Sequence, residues 1–101
     1  MTSSNHQIQK SDLPFHEFQL FVAGNTIISL RAIKNSHALL DLYLKNNYKM
    51  ELIDVYHDPE KTVDANIITT PTFIRKKPLP ELMIIGDLSD IDKAAKELLL
   101  K

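Results

Sequence analysis

The run Phe15 to Ala23, FHEFQLFVA, limits the fold more than any other part of the chain. Side chains of a strand alternate between its two faces, so Phe18, Leu20 and Val22 share one face while Phe15, Phe21 and Ala23 add apolar material elsewhere. Such a strand has no face to offer water, which places it in the middle of a sheet rather than at an edge. It ends at Gly24-Asn25. The fold must then supply apolar cover for a central strand.

The segments that follow supply it. Leu30, Ile33, His37, Leu40 and Leu44 recur at helical spacing, which predicts a long helix with these residues as its buried stripe. Thr26 or Ser29 can cap its first turn, and Asn46-Asn47 can end it, because Asn tolerates a left-handed exit. Met50 to Tyr56 alternates as a second strand; strand, helix and strand in this order form a right-handed parallel unit. Asp58-Pro59 opens a short helix running to about Ile67, with Asp58 as cap and Pro59 in the first helical position. Thr72 to Arg75 and Glu81 to Ile85 read as an antiparallel hairpin. Ser89 is expected to cap a last helix with Ile91, Ala94, Ala95, Leu98 and Leu99 facing inward. The order β-α-β-α-β-β-α, parallel first and antiparallel afterwards, resembles the thioredoxin arrangement, an α/β class.

With 101 residues, the chain is sized for one domain, expected over 15–101, with the polar stretch 1–14 before it as a mobile arm. A formal charge of −1 gives no electrostatic reason to expect nucleic acid as a partner. No apolar run approaches the ~20 residues of a membrane helix, so no membrane partner is expected. Cysteine is absent, which excludes disulfides, thiolate nucleophiles and dithiol redox chemistry, and suits a cytoplasmic protein.

The candidate sites follow from this order. Thr70-Pro71 enters a strand after a helix, the place where thioredoxin-like domains hold a structural cis proline, so Pro71 is expected to be cis. The dithiol of redox relatives would sit in Ala23 to Ser29, where Thr26 and Ser29 offer hydroxyls that need an activating base. His6, His16, His37 and His57 share no metal-ligand spacing, so no metal and no cofactor are expected. His57-Asp58 is a poor base pair because Asp58 is committed to capping. No catalytic residue is assigned and the chain is not expected to be an enzyme. Arg75-Lys76-Lys77 is a basic run on a projecting hairpin, either a solvated face or a contact for a partner.

Two segments, Leu20-Phe21-Val22-Ala23-Gly24-Asn25-Thr26 continuing through Ser29-Leu30-Arg31-Ala32, and Thr70-Pro71-Thr72 followed by Ile84-Ile85-Gly86-Asp87-Leu88-Ser89, resemble the KaiB family of circadian-clock proteins. With Ile53-Asp54-Val55 between them, the likeness spans about Phe15 to Leu100. The resemblance implies a thioredoxin-related, non-enzymatic regulator that binds the ATPase KaiC, in rhythm or in stress adaptation. It also implies a homo-oligomer, dimer or tetramer, and an alternative tetramer fold in which the second half, from about His57, rearranges. Two other readings stand beside it. One is a thioredoxin-like sensory or adaptor domain that binds a histidine kinase or another partner; the other is a redox-inactive thiol- or peptide-binding protein.

The sequence departs from the clock pattern at several places. Pro78-Leu79-Pro80 replaces a proline triplet, Leu82-Met83 an arginine pair, and Asn66 a lysine; the chain stops at Lys101 where clock members carry an acidic tail. Arg75, Lys76, Lys77, Leu82 and Met83 are accordingly the candidate partner-binding residues, with Leu82 and Met83 marking a more apolar surface. Gly86, Asp87, Glu97 and Leu99 are the candidate determinants of fold state. Glu97 and Leu99 stand where clock members can carry glycine and aspartate, and favour one continuous final helix through Leu100. That preference makes the thioredoxin-like state the expected resting state.

Overall fold

A computed structural model describes residues 15–101; the stretch 1–14, expected to be a mobile arm, lies outside the described residues. The elements are β1 (His16–Val22), α1 (Ile27–Leu44), β2 (Tyr48–Asp54), α2 (Pro59–Asp64), β3 (Thr72–Lys77), β4 (Leu82–Ile85) and α3 (Ile91–Glu97). They occur in the expected order. The sheet runs β2-β1-β3-β4, with β1 parallel to β2 and antiparallel to β3, and β4 antiparallel to β3.

β1 is central for the reason its composition gives. Phe18, Leu20 and Val22 enter the larger core with Phe73 and with Ala32, Leu39, Leu40, Ala94, Ala95 and Leu98 of the helical layer. Phe21 turns to the opposite face and forms a smaller core with Ile53 and Ile74, packed against Val55, Ala65 and Ile67. Phe18 anchors the larger core by stacking on Phe73 at 5.2 Å and meeting Tyr48 edge-on at 6.4 Å.

The buried stripe of α1 differs from the expected one. Ser29, Ala32, Ser36, Leu39 and Leu40 are buried, whereas Leu30 is 51% exposed and His37 faces solvent. Ile33 and Leu44 only flank the core. Small side chains let a helix backbone lie close on a sheet, and a search for large apolar residues overlooks them. Ser36 enters at little cost because its hydroxyl donates to the Ile33 carbonyl at 2.8 Å. The helix stops at Lys45, with φ 52°, rather than at Asn46-Asn47, and Asn47 N–H returns to the Leu44 carbonyl.

β2 begins and ends two residues earlier than expected. His16 N–H donates to Asn47 O, which draws Tyr48 into register with β1. At the other end the Asp54 carboxylate accepts from Tyr56 N–H at 2.9 Å and Gly24 N–H at 3.3 Å, turning the chain. Asp58 caps α2 as expected, its Oδ1 accepting from Lys61 N–H.

α2 and α3 close in the same way. Beyond α2, Asn66 takes φ 56°, with Asn66 N–H bonded to Val63 O and Ile67 N–H to Thr62 O. Beyond α3, Leu99 takes φ 59°, with Leu99 N–H bonded to Lys96 O and Leu100 N–H to Ala95 O. This is the Schellman pattern, which favours Gly or Asn at the left-handed position. It corrects the expectation of one helix through Leu100: α3 ends at Glu97, Leu98 is buried, and Leu99 is 67% exposed. A second correction concerns the start. Asp90, not Ser89, caps α3, and Ser89 instead donates its N–H to Asp87 Oδ1 at 3.0 Å.

A leucine in the left-handed region carries a cost of about 1–2 kcal/mol, and here its side chain gains little packing in return. Leu99→Gly is expected to stabilise the domain by roughly 0.5–1 kcal/mol after the greater unfolded-state freedom of glycine is deducted. A lower urea midpoint for this variant would contradict the reading.

Candidate partner-binding site

The end of the sheet where a thioredoxin carries its dithiol is built here from hydroxyls and backbone. Gly24, at φ +68°, turns the chain out of β1, and a Cβ there would stand 3.5 Å from the Tyr56 ring. Thr26 Oγ1 accepts from Ser29 N–H at 3.2 Å, capping α1, and its own hydroxyl donates to Ser29 Oγ at 2.9 Å. Ser29 is buried and its hydroxyl donates to Ala23 O at 3.4 Å. Both hydroxyls are committed to the fold. The Thr70–Pro71 bond is cis, as are those before Pro78 and Pro80, and Pro71 O accepts from Gly86 N–H at 2.9 Å.

Among the described residues, no base is hydrogen-bonded to either hydroxyl. His57 is exposed and its Nε2 lies 3.9 Å from Asp54 Oδ2, while Asp58 serves as a cap. Among the described residues no group of three His, Cys, Asp or Glu side chains could hold a metal ion, and no helix is long and apolar enough to cross a membrane. His6 lies outside the described residues.

The basic run on the hairpin divides between surface and interior. Lys77 is exposed, 3.6 Å from Glu17, and Lys76 pairs with Glu81 at 2.8 Å. Arg75 is only 4% exposed, which corrects its place among surface contacts. Its Nη1 donates to Leu98 O at 2.9 Å and its Nη2 to Pro80 O at 3.1 Å. One guanidinium thus joins the β3–β4 hairpin to the C-terminal end of α3, where free carbonyls favour a cation. The signal was the strand period: Arg75 shares its face with Phe73, the core-facing side of β3.

The apolar pair on β4 divides too. Leu82 and Ile84 pack against the larger core, whereas Met83 and Ile85 are 50% and 63% exposed on the opposite face. Gly86, at φ +120°, and Asp87 form the turn into α3, and Asp87 O accepts from Asn35 Nδ2 at 2.8 Å. Sequence reasoning missed this tie between α1 and the turn, because no spacing rule links residues so far apart.

His16 stacks on Phe18 with ring centroids 6.0 Å apart. Burial and then the Arg75 charge push its pKa below the usual histidine value. His16 Nδ1 and Arg75 Nε are both buried with no hydrogen-bond partner among the described residues. Elsewhere, Tyr48 donates to Asp41 at 2.7 Å, and burial with that hydrogen bond pushes its pKa up to about 12. Glu51 is held below the carboxylate range by hydrogen bonds from Lys61 and Gln19.

This arrangement defines a class: a thioredoxin-like domain whose dithiol position is occupied by a helix cap and a buried serine. The N-terminal domain of Synechococcus elongatus SasA superposes with a TM-score of 0.69 at 18% identity, covering 96% of this chain and 92% of that one. The Drosophila thioredoxin Deadhead follows at 0.65 and 19% identity, with 83% and 78% covered. Within that class the chain belongs to the KaiB family: the KaiB domain model matches residues 19–100. The circadian clock oscillator protein KaiB of Synechococcus elongatus is 41% identical over 75 residues, 74% of each chain.

Arg75→Lys is expected to lose about 2 kcal/mol of stability, because an ammonium cannot span two carbonyls in the manner of the guanidinium fork. Unchanged thermal unfolding would contradict the bridge. His16 sets a pH dependence of definite sign. Its folded pKa lies below its unfolded value, so the unfolded state binds more protons as pH falls below about 6.5. The associated stability is complete above that pH and is lost as pH drops through the folded pKa. Urea midpoints between pH 7.5 and 5 should fall more steeply for the wild type than for His16→Gln; parallel curves would remove His16 as the cause.

Proposed function

We propose that this member of the KaiB family acts by binding a KaiC-like ATPase and modulating it, without catalysing a reaction of its own. The observation that carries this reading is the pairing of Thr26 with Ser29 where redox relatives hold thiols. Both hydroxyls are spent on capping and burial, leaving a scaffold whose remaining means of action is its surface. Family membership supplies the direction, toward a clock partner.

On that surface, Lys76 and Lys77 stand on the projecting hairpin beside exposed Met83, and the three form the contact we assign. Arg75 supports them from inside by fixing the hairpin to α3. A thioredoxin-like resting state and action in the cytoplasm complete the proposal.

The test is co-purification of a KaiC-like ATPase with the tagged protein from its native lysate, with and without ATP. The ATPase should be recovered, and Lys76→Glu combined with Lys77→Glu should reduce recovery at least tenfold while the fold is retained. Absence of the ATPase under both conditions, from folded protein, would overturn the reading.

A further inference from the structure

Among the described residues, the outer edge of β4 is an unfilled position in the sheet: β4 is the last strand in the order β2-β1-β3-β4, and its one partner there is β3. Gly86 N–H is turned toward β3, bonded to Pro71 O. Backbone groups alternate along an antiparallel ladder, so Leu82 and Ile84 also direct theirs at β3. Met83 and Ile85 therefore direct their N–H and C=O groups outward, away from the sheet. Their side chains are also exposed, on the face opposite the larger core.

A groove runs along this edge between β4 and the flank of α3. Its α3 side carries Asp87, Asp90 and Glu97 against one cation, Lys93. The two sides of the edge thus differ: apolar beside Met83 and Ile85, net acidic beside α3. A strand added here would put alternate side chains on these two sides.

We propose that the β4 edge is a docking site for an extended segment of a partner protein whose residues alternate between apolar and basic. The partner's main chain continues the ladder at Met83 and Ile85, its apolar side chains lie beside those two, and its Lys or Arg side chains lie beside Asp90 and Glu97. Charge complementarity decides against a second copy of this chain, because like-for-like pairing of two β4 edges would bring two sets of carboxylates together. The site rests only on the protein-binding reading, and failure to recover a KaiC-like ATPase would leave it standing.

The test is an NMR titration of the isotope-labelled protein with a blocked heptapeptide of alternating valine and lysine, beside a valine–glutamate control. The lysine peptide should shift the Met83 and Ile85 amides and slow their exchange, and should bind at least tenfold more tightly than the control. Glu97→Lys, at an exposed position, should weaken it severalfold. Met83→Pro removes an outward N–H without touching the β3 ladder, and should abolish binding while the spectrum stays dispersed. The proposal is overturned by no binding, by equal binding of both peptides, or by shifts centred on Lys76 and Lys77. Wild-type binding by folded Met83→Pro would overturn it as well. If that variant unfolds, Glu97→Lys and the control peptide decide.

Discussion

The structure depends on a single strand that must be covered on both faces. β1 gives Phe18, Leu20 and Val22 to one core and Phe21 to the other, and it hydrogen-bonds to β2 on one side and β3 on the other. Every other element is placed by one of these demands. α1 and α3 cover the larger face, while α2 and its exit turn cover Phe21 through Ala65 and Ile67. Burying an aromatic side chain contributes roughly 1.5–3 kcal/mol, so the three buried phenylalanines Phe18, Phe21 and Phe73 outweigh any surface ion pair as sources of stability.

The end of the sheet that carries Thr26 and Ser29 follows the same economy of contacts. A cysteine pair at Thr26 and Ser29 would leave a reactive thiol at the first turn of α1. The hydroxyls fill the two positions with a helix cap and a buried donor, strengthening the turn that carries them. The Asp54 carboxylate adds to this order, tying Gly24 and Tyr56 into a closed loop above the sheet end.

Element order and strand pairing were legible because they rest on period and composition: the apolar run of β1, the Asp58-Pro59 start of α2, the hairpin of β3 and β4. Three features were obscured, each for a physical reason. The buried face of α1 joins Ser29, Ala32 and Ser36 to Leu39 and Leu40, and the first three fit by being small. The end of α3 is set by a left-handed leucine, against the local helix preference of Glu97 and Leu99. Arg75 reads as one of three surface cations, yet only its neighbours in the run are solvated. For the candidate site, the sequence pointed to the β3–β4 hairpin but not to which of its side chains meet solvent.

Arg75 links that misreading to the character of the surface. A buried guanidinium is costly unless its donors are occupied, and here two are satisfied by carbonyls from separate elements while Nε has no partner among the described residues. The arrangement holds only if the hairpin and the last turn of α3 stay together, so the position of β4 is coupled to where α3 ends. Leu98, whose carbonyl Arg75 uses, is the same residue that caps α3 and fills the core beside Ala95. The positive charge is thereby withdrawn from the surface. The exposed part of β4 is left apolar at Met83 and Ile85, with carboxylates of α3 alongside. A hairpin that began as a basic run presents a mixed face, cationic at Lys76 and Lys77 and apolar with an acidic border along the strand edge. One buried arginine fixes the geometry of both.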